Sequence, residues 1–194
     1  MTQRRTLLKA APAGVLLVSA GALPLAALAL SPATSPLPPE ASAALPGALA
    51  GGTARLRFFG FSVYDATLWV APGFRSEAYA QHAHALDLAY LRSLKGVDIA
   101  ERSLTEMQRQ GPIAAAQGQA WLAAMTAAFP DVKAGDHLTG LHTPGVGARF
   151  WLNGQPRPAV PDPEFSRRFF GIWLADTTSE PAMRRQLLAG IAAP

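Results

Sequence analysis

Apolar and polar positions change their period several times along this chain, and each change marks an element. Between Ala54 and Val70, β-branched and aromatic residues fall on both faces, which predicts a long strand, bent at Gly60 or broken into a hairpin near Asp65. Pro72-Gly73 closes it. Leu86, Leu88 and Tyr90 then alternate with Ala85, Asp87 and Ala89, so a second strand is expected over 85–91. The period now lengthens. Val97, Ala100, Leu104 and Met107 recur at helical spacing, with Glu101, Arg102, Glu106 and Arg109 on other faces and Gly111-Pro112 as a stop. A second, alanine-rich helix follows over 113–129, weakened by Gly118 and anchored by Trp121, Met125 and Phe129.

Turn residues return after Pro130. His137–His142 and Ala148–Leu152, separated by Thr143-Pro144-Gly145-Val146-Gly147, predict a hairpin, and Asn153-Gly154 leads into a further strand over 155–160. Asp162-Pro163-Glu164 combines a capping carboxylate, a proline suited to the first helical position and an acid in the first turn, so a helix begins there. Phe165, Phe169, Ile172 and Trp173 are its apolar stripe, and a last short helix covers 179–188. Strands, helices, a hairpin group and helices again describe an α+β domain with a mostly antiparallel sheet.

The first residues follow a different rule. Arg4-Arg5 precedes an apolar run from Ala10 to Leu30 that ends in Ala27-Leu28-Ala29, the pattern of a twin-arginine export signal over 1–29, cleaved after Ala29. The expected address is the periplasm; an uncleaved run, close to bilayer-spanning length, would instead hold the domain at the inner membrane. Residues 30–50, rich in Pro, Ala and Ser, read as a linker, which leaves a domain over 51–194.

Charge and cysteine content then exclude whole classes of function. Of 17 Lys and Arg, Arg4, Arg5 and Lys9 lie in the leader, so 14 basic residues face 13 acidic ones in the remainder. A nearly neutral domain has no electrostatic footprint for nucleic acid. The absence of cysteine removes disulfides, thiolate metal sites and cysteine nucleophiles. His82 and His84, two apart, would share a strand face, and His137 or His142 would complete a metal site. These histidines are nevertheless read as exposed loop residues, with no metal and no cofactor implied. Asp131, Asp136 and Asp176 sit among turn residues, and Ser103, Ser166 and Ser179 lack a paired His and Asp, so no catalytic set is assigned.

Four stretches taken together, Arg57–Ala66, Lys95–Arg102, Phe129–Asp136 and Phe169–Leu174, resemble the bacterial chalcone isomerase-like family in order and spacing. The resemblance implies an open-faced β-sandwich, a large antiparallel sheet with helices packed on it. Some members cyclise chalcones, while others bind fatty acids. The catalytic residues of the plant enzymes do not carry over: Phe59 stands at the threonine position, no cation stands near Gly47 where the arginine would fall, and Ile99 and Glu106 fall at the tyrosine and asparagine positions.

Arg57, sharing a strand face with Phe59 and Phe61 if the alternation holds, would set a guanidinium beside an apolar wall, with Tyr64 lining the same pocket. The reading that follows is a cleft that binds a small amphipathic or aromatic ligand, such as a fatty acid, through Arg57, Phe59, Phe61 and Tyr64 without catalysis. An isomerase or intramolecular lyase in which Arg57 replaces the missing electrophile is the alternative.

Overall fold

The first strand signal resolves into a hairpin. In a computed structural model that describes residues 36–191, β1 (Leu49–Phe58) and β2 (Phe61–Val70) pair antiparallel across Phe59-Gly60. The break falls at Gly60 and not near Asp65, because Asp65 sits mid-strand, where its carboxylate accepts from the Arg55 guanidinium at 2.6 Å. The sheet continues through β3 (His84–Tyr90), β4 (His137–Thr143), β5 (Gly147–Leu152) and β6 (Gln155–Val160) in simple sequential order, six antiparallel strands in all. A 3-10 helix over Ser76–Gln81, absent from the sequence reading, links β2 to β3.

One face of the sheet carries the core. Leu68, Leu88, Leu138 and Phe150 project toward α2 (Gly96–Gln108), α3 (Ala115–Ala128), α4 (Pro163–Leu174) and α5 (Pro181–Leu187), which supply Met107, Met125, Phe165 and Leu187 to the same cluster. The amphipathic stripe anticipated for α4 becomes a run of aromatic contacts: Phe165 stacks on Phe169 at 5.6 Å, and Phe169 meets Trp173 edge-on at 5.5 Å. Asp162 caps α4 by accepting from the Glu164 and Phe165 amides at 2.9 and 3.0 Å. Its second oxygen accepts from the Trp121 indole at 2.8 Å, so one carboxylate joins α3 to α4.

The opposite face is open and mostly polar, with the Arg55–Asp65 pair, the Thr53–Thr67 hydrogen bond and an Asp87–His137 contact at 2.8 Å. What covers part of it corrects the linker assigned to 30–50. Residues 39–42 form a short helix, α1 (Pro39–Ser42), and Ala41 and Leu45 are buried against Trp69, Ala85 and Leu141. Composition underestimated this stretch because the sheet supplies the apolar partner that the stretch lacks by itself. The export signal assigned to 1–29 lies outside the described residues. Among those that are described, no helix is long and apolar enough to cross a membrane.

Two of the stretches quoted above meet at one joint. The Asp131 carboxylate accepts from the Gly96 amide at 3.0 Å and from Lys95 Nζ at 2.7 Å, and Leu94 bridges Val132. The entry to α2 is thereby tied to the turn after α3.

Two of the histidines depart from the exposed-loop reading, whereas His82 lies in the loop before β3 and His137 is exposed at the start of β4. His84 and His142, paired across β3 and β4, are buried with their rings stacked at 4.7 Å. Tertiary packing places them there, since alternation puts both on the helix-facing side of the sheet. His142 Nε2 donates to the Ala80 carbonyl at 3.0 Å, which leaves Nδ1 to accept from the Ser166 hydroxyl at 2.6 Å. Burial, and then the neighbouring His142, push the His84 imidazole down to about 3. An unfolded histidine protonates near pH 6.5 while the folded one stays neutral, so the unfolded state gains protons first as pH falls. Stability is therefore whole above pH 6.5 and declines between there and pH 3, by about 2 kcal/mol at pH 5 from this group alone. Thermal denaturation over this range is expected to show that loss, and His84→Phe is expected to flatten it.

Candidate ligand cavity

Strand alternation and helical spacing converge on one hollow. Leu56 and Phe58 of β1, Leu88 and Tyr90 of β3, and Ile99, Arg102, Ser103 and Glu106 along α2 each share a face by their spacing. Together with Tyr64 of β2, Leu138 of β4 and Phe169 and Trp173 of α4 they enclose a cavity of about 410 Å³. That volume lies within the roughly 300–1,000 Å³ usual for small-molecule sites. Its inner wall is deeply buried, with Tyr90 and Phe129 each 2% exposed, while Phe58 at 54% marks a mouth open to solvent.

Polar groups gather on one side of this apolar space. The Tyr64 hydroxyl accepts from the Trp173 indole at 3.1 Å, which leaves its own proton free to donate. The Tyr90 ring lies 5.8 Å from that of Tyr64, and its hydroxyl has no hydrogen-bond partner among the described residues. Desolvation by burial raises both phenols above their ordinary range, so both remain neutral donors at any physiological pH. Glu106, its side chain 8% exposed, is paired with Arg102 at 2.6 Å and with Arg109 at 3.6 Å. Arg92 completes the lining near the mouth, with its guanidinium 5.8 Å from the Phe61 ring. The arrangement offers two neutral hydroxyl donors inside an apolar chamber and two guanidinium groups toward its opening.

Of the residues assigned from sequence, Tyr64 lines this cavity and Arg57, Phe59 and Phe61 are not among its lining residues. The alternation assumed for those three ends at the turn: Phe59 is at the hairpin apex with φ +47°, so it shares no strand face with Arg57. Arg57 itself is exposed and follows Leu56, a residue of the cavity wall. The sequence reading missed Tyr90, Arg92 and Trp173. On α2 it followed the apolar stripe through Ala100 and Met107, whereas the cavity is faced by the neighbouring mixed stripe. The spacing of Ile99 and Glu106, noted through the family resemblance, was the available signal, and both line the cavity. Among the described residues no cluster of His, Asp or Glu is arranged to hold a metal ion.

No curated protein matches the chain. Among solved structures it is similar to a fatty-acid binding protein of Arabidopsis thaliana, at 9% identity and a TM-score of 0.53, over 71% of this chain and 83% of that one. At that identity the likeness is one of fold, and it extends to the open antiparallel sheet with helices packed on one face. The family model described as chalcone isomerase-like matches residues 47–189, which takes in the whole sheet, all four helices on its core face and every residue that lines the cavity. The chain belongs to the chalcone isomerase-like family.

Proposed function

We propose that the protein binds a small amphipathic ligand of the fatty-acid class in this cavity and does not transform it. The observation that carries the reading is the chamber itself: apolar walls from Leu56, Leu88, Leu138, Phe129 and Phe169, with the Tyr64 and Tyr90 hydroxyls as neutral donors for a carboxylate. Arg102 and Arg92 add positive charge toward the mouth. A fatty acid is also what the similar Arabidopsis protein is named for.

Cyclisation of an enone requires an arginine free to polarise the carbonyl. Arg102 is held by Glu106 at 2.6 Å, Arg92 sits at the mouth with its guanidinium 5.8 Å from the Phe61 ring, and Arg57 stands outside the cavity lining. No guanidinium is poised inside the chamber, so the geometry favours binding over turnover. The same proposal places the protein in the periplasm, supported by Arg4-Arg5, the apolar run and Ala27-Leu28-Ala29.

Native mass spectrometry of protein isolated from the periplasmic fraction tests both parts. The expected species begins at Leu30 and carries one extractable lipid per chain. Calorimetry with a long-chain fatty acid should show Tyr90→Phe weakening binding about tenfold, the equivalent of one hydrogen bond to a charged group, and Arg57→Ala leaving it unchanged. An empty protein that turns over chalcones would overturn this reading in favour of an isomerase.

A further inference from the structure

The β1–β2 turn is built against the preference of its own backbone. Phe59 at φ +47° and Gly60 at φ +81° form a two-residue connection between the paired Phe58 and Phe61. The same positive φ values recur between β5 and β6, where Asn153 at +49° and Gly154 at +78° supply the residues such a turn favours. A bulky ring at the first of these positions is strained, and packing returns only an edge-on contact with the likewise exposed Phe58 ring at 4.5 Å. Phe59 is 87% exposed and Phe61 67%. Large rings gathered at one solvent-exposed tip, one of them in a disfavoured backbone conformation, point to a surface that is covered when the protein works.

Charge says what covers it. Arg57 on the rising strand and Arg92 beside Phe61 have no carboxylate partner among the described residues. Arg102, 6.0 Å from the Phe58 ring, is shared with Glu106. Besides Glu106, the carboxylates of the cavity lining, Asp98 and Glu180, are carried by α2 and by the N-cap of α5, not by the hairpin. Exposed aromatic rings flanked by unpaired guanidinium groups match the boundary between acyl chains and anionic headgroups.

We propose that the hairpin tip docks on the surface of an anionic phospholipid bilayer, with Phe59 and Phe61 inserted among the lipids and Arg57 and Arg92 on their phosphates. Phe58 and Arg92 also line the cavity, so docking turns the cavity mouth toward the membrane. A lipid-derived ligand would then enter without crossing water, a consequence that rests on the ligand-binding reading, whereas the docking does not.

The test is sedimentation of the protein with vesicles of phosphatidylcholine, with and without phosphatidylglycerol. Binding is expected to the phosphatidylglycerol vesicles and to weaken with salt. Phe59→Asn together with Phe61→Ser should lower the partition roughly tenfold per ring lost, and Arg57→Gln should lower it only on the anionic vesicles. Phe59→Asn should at the same time raise the melting temperature, so that stability and membrane binding move in opposite directions. Calorimetry with a fatty acid on the double variant, whose substituted residues lie outside the cavity lining, reads the ligand site separately. Equal sedimentation of wild type and double variant would overturn the proposal. So would a wild-type dimer that the double variant dissolves, which would assign the tip to contact between copies.

Discussion

A phenylalanine at position 103 is expected to abolish ligand uptake while the protein stays folded. Ser103 is buried on the cavity face of α2, and its hydroxyl is spent on the Ile99 carbonyl of its own helix at 2.7 Å. Losing that bond costs little, because the carbonyl is already part of the helical ladder. An aromatic ring there projects into open space, so overpacking should stay near the low end of the roughly 1–3 kcal/mol such changes cost. The ligand, by contrast, loses the space it needs. Affinity for a long-chain fatty acid should fall at least about a hundredfold, or roughly 3 kcal/mol, with Ser103→Ala as the control that retains it. Calorimetry and urea denaturation on the same samples separate the two effects. Full affinity in folded Ser103→Phe would place the ligand elsewhere.

Gly96→Ala should be strongly destabilising for a change of one methyl group. A Cβ at this position would run into the Phe129 carbonyl oxygen and the Pro130 backbone, none of which is the flexible end of a side chain. Retreat is blocked on both sides. The Gly96 amide is held by Asp131, and the Leu94–Val132 bridge fixes the same pair of segments. The expected loss is at least about 3 kcal/mol, the range reached when backbone must move to admit an atom. The midpoint of urea unfolding measures it. A loss under about 1 kcal/mol would show that the turn after α3 yields more easily than its hydrogen bonds imply. The change lies next to the cavity wall formed by Leu94 and Phe129, so fatty-acid affinity should decline as well.

These two sites show which parts of the molecule could be read from residue order. Period and turn residues recovered the six strands and the helices α2 to α5, though not α1 or the 3-10 helix, and the Asp162-Pro163-Glu164 cap was anticipated in detail because capping is local chemistry. The hairpin apex was placed less well. Phe59-Gly60 lacks the asparagine that announces such a turn, whereas Asn153-Gly154, with nearly the same backbone, was legible at once. The site suffered from the same cause. Arg57, Phe59 and Phe61 were grouped by an alternation that stops at Phe58; Tyr90 comes beside Tyr64 only through the β2–β3 register, and Trp173 reaches it only when α4 packs onto the sheet.

The sequence by itself determined what depends on near neighbours: the α+β class, the order of elements, the caps and most turns. It also carried the family, through stretches such as Lys95–Arg102 and Phe129–Asp136 that prove to meet at one joint. Only the tertiary structure decided which faces of separate elements share a space. Residues 39–48 became part of the fold because the sheet offered Trp69 and Leu141 to cover. His84 and His142 became core residues because β3 and β4 pair in that register. The cavity exists because α2 turns Ile99, Arg102, Ser103 and Glu106, rather than its most apolar stripe, toward Tyr64 and Tyr90. Each of these is set by long-range packing, whose energy depends on surfaces brought together from distant parts of the chain and therefore leaves little trace in any short window of residues.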